Sequence, residues 1–295
     1  MRSPRAAWGR LCIVLPLAAC APTVVPPTTP APQPAAARAI VDNYGFALSG
    51  ALEQGGLATG VVPAGTRSLS FDGKPIGFAA DGRFLIAFDR DAAPAARIEA
   101  IAAEGTILRR ALAVAPRAWR IESLPTLPRG TTPSPEFLAR RKIELDQIAA
   151  ARAIDSGSLG WRQHFIWPAT GRISGVFGSQ RIYAGEPGAY HSGVDIARPQ
   201  GTPIVAPADG VVILAASAPF TLEGNLLMID HGMGLNSAFL HLSRIDVKPG
   251  QIVKQGETLG AIGMTGRATG PHLHWALKWR DARIDPAPLA GTMGR

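Results

Sequence analysis

Beyond about residue 43 the chain is patterned with a period of two: apolar and polar positions alternate in short runs closed by glycine-rich turns. From Asn43 to Pro125 the runs are Gly45–Leu52, Arg67–Phe71, Arg83–Phe88, Thr106–Val114 and Ala118–Ile121, punctuated by Gly55-Gly56, Asp72-Gly73 and Asp81-Gly82. They predict a small β-sandwich or barrel of about 80 residues, within residues 41–128. Alternation returns in Arg172–Phe177, Gly193–Ile196, Gly210–Ala216, Asn225–Ile229, Ser237–Leu242, Thr258–Ile262 and His272–Lys278. Side chains on a strand point alternately to either face, so these runs predict an antiparallel β domain of about 130 residues, spanning 161–295. Between the two lies a helical signal. Ser134 suits an N-cap, Pro135 the first helical position, and Glu136 the first turn. Phe137, Leu138, Leu145, Ile148 and Ala151 are expected to form its apolar face, with the helix reaching about Ile154 and ending at Gly157–Gly160. This connecting element, residues 129–160, is expected to pack between the β units. The fold class is therefore mainly β.

Composition agrees with the pattern. Thirty-three glycines, 26 prolines and 18% charged residues suit many turns and short strands. The only cysteines are Cys12 and Cys20, which excludes a disulfide framework or a cysteine metal site in the remainder. Arg2, Arg5 and Arg10 precede the apolar run Leu11–Ala19, which is too short to span a bilayer and reads as a signal peptide over residues 1–19. It ends in Leu17-Ala18-Ala19-Cys20, which resembles the lipobox of bacterial lipoproteins. The resemblance implies cleavage before Cys20, lipid on that cysteine, and attachment to a membrane through the lipid. Ala21, in place of an aspartate, implies the outer membrane. Residues 21–38 contain six prolines and no acid, and read as an extended tether. Without residues 1–19 the net charge falls from +8 to 27 − 22 = +5. No basic patch with interleaved aromatics accompanies it, so a nucleic-acid partner is not indicated.

The candidate chemistry is confined to the second β portion. In Gly270-Pro271-His272-Leu273-His274-Trp275 the two imidazoles share one strand face, and Leu273 and Trp275 share the other. His191-Ser192-Gly193-Val194-Asp195 lies upstream, and Phe239-Leu240-His241-Leu242-Ser243 lies between, so four of the six histidines fall in three short segments. A hydrolytic zinc site takes three nitrogen or oxygen ligands and leaves one position for water. His191, Asp195 and a histidine of the 272/274 pair supply such a set, and spacing alone does not choose between His272 and His274. The imidazoles left over can shuttle a proton or stabilise an oxyanion. His231, in Asp230-His231-Gly232, reads as a hairpin tip with the ring capping or facing solvent, and His164 has no partner in sequence. Gly263–Gly270 lacks the Gly-Lys-Ser/Thr ending of a phosphate loop.

His191-x3-Asp195, the isolated His241 and His272-x-His274 together resemble the lysostaphin/LytM-type zinc metallopeptidases, the murein endopeptidases. Gly178-Ser179-Gln180-Arg181, Gly193-Val194-Asp195-Ile196-Ala197, Gly201-Thr202-Pro203-Ile204 and Thr265–His274 extend the likeness over about residues 165–290. The resemblance implies that His191, Asp195 and His274 hold one Zn2+, and that His241 and His272 are the catalytic pair. It further implies a periplasmic enzyme of a Gram-negative cell acting on peptidoglycan stem peptides at D-alanyl–diaminopimelate cross-links. Relatives that have lost the ligands activate cell-wall amidases, so a non-catalytic murein-binding scaffold or amidase activator is the alternative. A regulatory protein partner is left open. Two histidines and a carboxylate also make the facial triad of non-haem iron oxygenases, which secretion and the spare histidines disfavour.

Overall fold

Alternation in the second half of the chain becomes a twisted antiparallel sheet. The computed structural model describes residues 39–295 apart from Arg129, Thr131 and Arg295. The signal segment 1–19, Cys20 and the tether up to residue 38 lie outside the described residues. The large sheet runs Arg172–Gly175, Val194–Ala197, His272–Trp279, Leu235–Leu242, Asn225–Asp230, Gly210–Ala215 and Ile252–Val253, with Ala282–Ile284 paired to His272–Trp279. Each neighbouring pair on this path is antiparallel. Thr258–Ala261 leaves it for a smaller sheet, between Pro203–Val205 and Arg244–Ile245.

One face of the large sheet is the core. Leu273, Trp275 and Leu277 point into it with Val194, Ile196, Leu227, Ile229 and Phe239, all buried. Each such side chain contributes roughly 1.5–3 kcal/mol by leaving water. The opposite face carries His272 and His274 and, beside them, a smaller apolar cluster of Ile213, Leu226, Met228 and Ala238.

The N-terminal portion forms a five-stranded sheet (Ile40–Val41, Ile107–Ala113, Ala95–Ala102, Thr66–Phe71, Lys74–Ile76) and a three-stranded one (Ala47–Gly50, Leu57–Val61, Arg83–Ala87). Ala95–Ala102 was not among the expected strands. Its inward positions are Ala96, Ile98, Ala100 and Ala102, and alanine offers little hydrophobic contrast and low strand propensity. The main apolar cluster runs through both portions, with Phe71 and Trp279 edge to face at 6.1 Å. Ile121–Leu124 pairs in parallel with Gln180–Tyr183, bringing the end of the N-terminal portion beside the segment that leads to His191.

The helix spans Pro135–Arg152, and the Ser134 hydroxyl oxygen accepts the Phe137 N–H at 3.2 Å, as an N-cap should. Its attachment differs from expectation. Leu138 and Leu145 remain 53% and 48% exposed, and the buried residues are Glu144 and Ala151. The helix lies on the large sheet's second face, held by polar contacts. Arg141 grips Glu223 with two bonds of 2.6 Å, and Glu144 accepts from the Thr221 N–H and hydroxyl at 2.7 and 2.6 Å. The imperfect apolar period reflects this: the anchoring positions are charged. Among the described residues no helix is long and apolar enough to cross a membrane.

Candidate active site

Strand register brings the first pair together. Asp195 stands directly opposite His274, and Ala197 opposite His272. His191 arrives from the loop before Val194–Ala197. Asp195 Oδ1 lies 2.8 Å from His274 Nδ1 and 3.0 Å from His191 Nε2, and the two ring nitrogens are 3.1 Å apart. His272 Nε2 is 3.8 Å from the same carboxylate oxygen. Burial opposes ionisation of Asp195, but hydrogen bonds and charge from His191 and His274 outweigh it, holding the carboxyl far below its usual range. Burial likewise pushes the His191 pKa down, yet Asp195 raises it overall; for His274 burial prevails and the pKa falls.

The donor set suits a divalent metal. One ligand atom each from His191, Asp195 and His274 lie within 4.8 Å of one another. His191 Nδ1–H donates to the Val176 carbonyl at 3.2 Å, which leaves the Nε2 lone pair directed at the other two donors. A carboxylate with two imidazoles is a common ligand set for zinc.

His241 joins the cluster against the pleat. Phe239 and Leu242 both enter the core, so strict alternation fails between them. The register against Asn225–Asp230 slips between Asn225 and Leu227, and His241 takes a left-handed backbone with φ 63°. Such a conformation costs a non-glycine residue roughly 1–3 kcal/mol, and the surroundings enforce it. His241 N–H donates to the Glu223 carbonyl at 2.8 Å, and its Nδ1–H to the Thr265 carbonyl at 2.8 Å. Glu223 is the residue gripped by Arg141 of the helix. The His241 ring then lies 4.8 Å from that of His272 and 6.3 Å from that of His274, centroid to centroid. His272 Nδ1–H donates to the Gly270 carbonyl at 2.8 Å, so in both rings Nε2 is the nitrogen left for other work. Burial, with the neighbouring imidazoles, lowers the His241 pKa to about 4, so the ring is a neutral acceptor at physiological pH.

Two glycines make room for this packing, and the sequence reading had not singled out either for it. A Cβ at Gly175 would stand 2.3 Å from Asp195 Oδ2, and one at Gly193 would stand 2.8 Å from His274 Nε2. The carbonyls of Val176, Thr265 and Gly270 were also missed, since any residue type can supply one.

His231 is a correction. It is fully buried, not solvent-facing: Nδ1–H donates to the Asp209 carbonyl at 2.8 Å, and Nε2 accepts from the Ser237 hydroxyl at 2.7 Å. His164 stands apart, lining a cavity of about 410 Å³ with Ser49, Leu57, Phe165 and Leu289. That cavity touches none of the five clustered residues, and the chemistry belongs to the imidazole cluster, where the ligand-type atoms converge.

Comparison with known proteins agrees with this geometry. The profile of peptidase family M23 matches residues 189–286, which contain all five residues. The chain is similar to a crystal structure of a candidate peptidase M23 from Pseudomonas aeruginosa, at 34% identity and a TM-score of 0.63, over 81% of this chain and 95% of that one. It is also similar to peptidoglycan DD-endopeptidase ShyA of Vibrio cholerae serotype O1, 44% identical over 107 residues, which are 36% of this chain and 24% of that protein. ShyB of the same organism, likewise called a peptidoglycan DD-endopeptidase, is 38% identical over 136 residues, 46% of this chain and 27% of that one. The chain thus spans about a quarter of the length of these curated relatives. With the Pseudomonas structure matched along nearly its whole length and the family profile falling on the cluster, this chain belongs to peptidase family M23.

Proposed function

We propose that the protein is a zinc-dependent endopeptidase that hydrolyses peptide cross-links of peptidoglycan, the bond cut being D-alanyl–diaminopimelate. His191 Nε2, Asp195 Oδ1 and His274 Nδ1 hold the ion. When bound, zinc supplies a Lewis acid that polarises the scissile carbonyl and lowers the pKa of water towards ~7. His241 and His272 act through Nε2. One, neutral and with an open Nε2, takes the proton from the attacking water and returns it to the leaving amine, and the other, in its imidazolium form, donates from Nε2 to the oxygen that gains charge. The Thr265 and Gly270 carbonyls keep the Nδ1 protons in place, so each ring presents a fixed tautomer.

The observation that carries this reading is the convergence of three ligand atoms at 2.8–3.1 Å beside two imidazoles whose Nε2 atoms are uncommitted. The curated relatives' designation as peptidoglycan DD-endopeptidases supports the substrate class. The wider setting belongs to the same proposal: residues 1–19 removed, Cys20 lipidated, residues up to about 40 as a tether, and a lipid-anchored periplasmic enzyme at the outer membrane of a Gram-negative cell. Residues 41–128 then form an N-terminal β domain, followed by the connecting helix of 129–160 and the peptidase domain from 161. Mass analysis of fragments released from purified sacculi tests it. New D-alanine carboxyl ends and free diaminopimelate amines, abolished by a chelator and restored by zinc, are expected; release of sugar fragments alone, or of nothing, would refute it.

A further inference from the structure

On the face of the large sheet that carries the site, three cations gather with no direct ion pair among the described residues, although the carboxylates of Asp89 and Asp281 are near enough to act on Lys278. In His272–Trp279 the side chains of His272, His274, Ala276 and Lys278 share that face. Register carries the row outward: Asp195 is opposite His274, and two alternations further along Arg283 is opposite Lys278. Like charges directly across an antiparallel pair repel. A third cation, Arg152, comes from the last turn of the helix, whose Ala151 packs in the same small cluster as Ala276. Arg152 Nη1 is buried and has no hydrogen-bond partner among the described residues. Burial and the charge of Arg283 lower the Arg152 pKa to about 10, and burial with both arginines lowers that of Lys278.

The acids in the neighbourhood are engaged elsewhere. Asp89 accepts the Arg283 backbone N–H and the Tyr190 hydroxyl, each at 2.9 Å. Asp281 is exposed and pairs with Lys74 at 3.7 Å. Asp230 is satisfied by Ser156, Gly232 and Asn236. The trio nevertheless connects to the site: the Arg283 guanidinium lies 5.3 Å from the ring centre of Tyr190, the residue before His191. A half-buried guanidinium, an ammonium and a second guanidinium on one row make a site for an anion, and a planar carboxylate suits the arginine forks.

We propose that Arg152, Lys278 and Arg283 bind a free carboxylate of the peptide substrate, about 13 Å along the strand from His274. The ligand class is an acidic peptide with a carboxylate off its main chain, which reaches the trio around the helix end that packs on Ala276. The proposal rests on the peptidase reading and names the specificity determinant of that same site.

The test uses a cross-linked stem-peptide dimer released from sacculi, and the same dimer with its carboxylates amidated. With the zinc-loaded full chain, amidation is expected to raise KM about tenfold with kcat nearly unchanged, the loss of one charged hydrogen bond. Lys278→Gln should raise KM about tenfold on the acidic dimer only, with zinc content unaltered. Equal KM for both dimers, or equal losses on both in the variant, would overturn the proposal and leave the peptidase reading standing. If neither dimer is cut, calorimetric binding still decides: tighter binding of the acidic dimer, abolished by Lys278→Gln, supports the subsite, and indifferent binding overturns it. Arg283→Gln, at an exposed position, repeats the test should Lys278→Gln fail to fold.

Discussion

His231, just beyond the end of Asn225–Asp230, and the histidines of the site belong to the same large sheet and its loops, yet they are held in opposite ways. His231 has a partner on each nitrogen, a carbonyl on Nδ1 and a hydroxyl on Nε2, and the Trp275 indole N–H donates at 3.4 Å to that same hydroxyl. Nothing is left over, and burial lowers its pKa to about 4, so the ring is a neutral piece of the core. His191, His241 and His272 each spend Nδ1 on a backbone carbonyl and turn Nε2 toward a common point with Asp195 and His274. The difference teaches how to tell a structural histidine from a working one: count the nitrogens the fold has already satisfied. Burial alone does not separate them, because His241 and His274 are also buried.

Substitutions can break the comparison. The largest effect is expected from His274→Ala, which should lose bound zinc, measured by elemental analysis, and on the order of a thousandfold or more in activity. His241→Ala should keep zinc and lose roughly 10²–10⁴-fold in kcat. Equal loss of metal in both variants would erase the division of roles. Gly193→Ala should weaken zinc binding about 10–100-fold by pushing on the Trp275 carbonyl and the His274 ring, as measured by competition with a chelator. His231→Ala should do the reverse of His274→Ala. It should leave zinc content unchanged and lower stability by about 3 kcal/mol in chemical denaturation, because the Ser237 hydroxyl and Asp209 carbonyl lose their partner. Most gradual is the pH effect. A folded pKa near 4 against ~6.5 unfolded means that the unfolded chain binds the extra proton. The His231 contribution is present above about pH 6.5 and is lost as pH falls towards 4, about 3 kcal/mol in all. A denaturation series should show that slope, and His231→Ala should reduce it by the His231 share, leaving the part that His241 contributes in the same sense.

Much of this was legible beforehand. All seven expected strands after residue 161 formed, because glycine-bounded alternation is a local signal that burial of one face reinforces. The helix start was equally plain, since Ser134, Pro135 and Glu136 satisfy the orphan N–H groups of a first turn by themselves. The alanine-rich strand Ala95–Ala102 and the polar seat of the helix were hidden. Their stability comes from partners far along the chain, such as Glu223 for Arg141, and not from their own pattern.

By itself the sequence determined the participants: four clustered histidines, one aspartate, and strands whose alternation puts His272 and His274 on one face. Residue identity and period are properties of neighbours in the chain. Tertiary structure alone decided which imidazole nitrogens stay uncommitted, that His231 is core, and that His241 leaves the pleat through a left-handed residue to join the others. Those outcomes depend on register, bulges and carbonyls supplied across the sheet. Asp195 and His274 are 79 residues apart in sequence and directly opposite in space, and no local pattern records such a pairing.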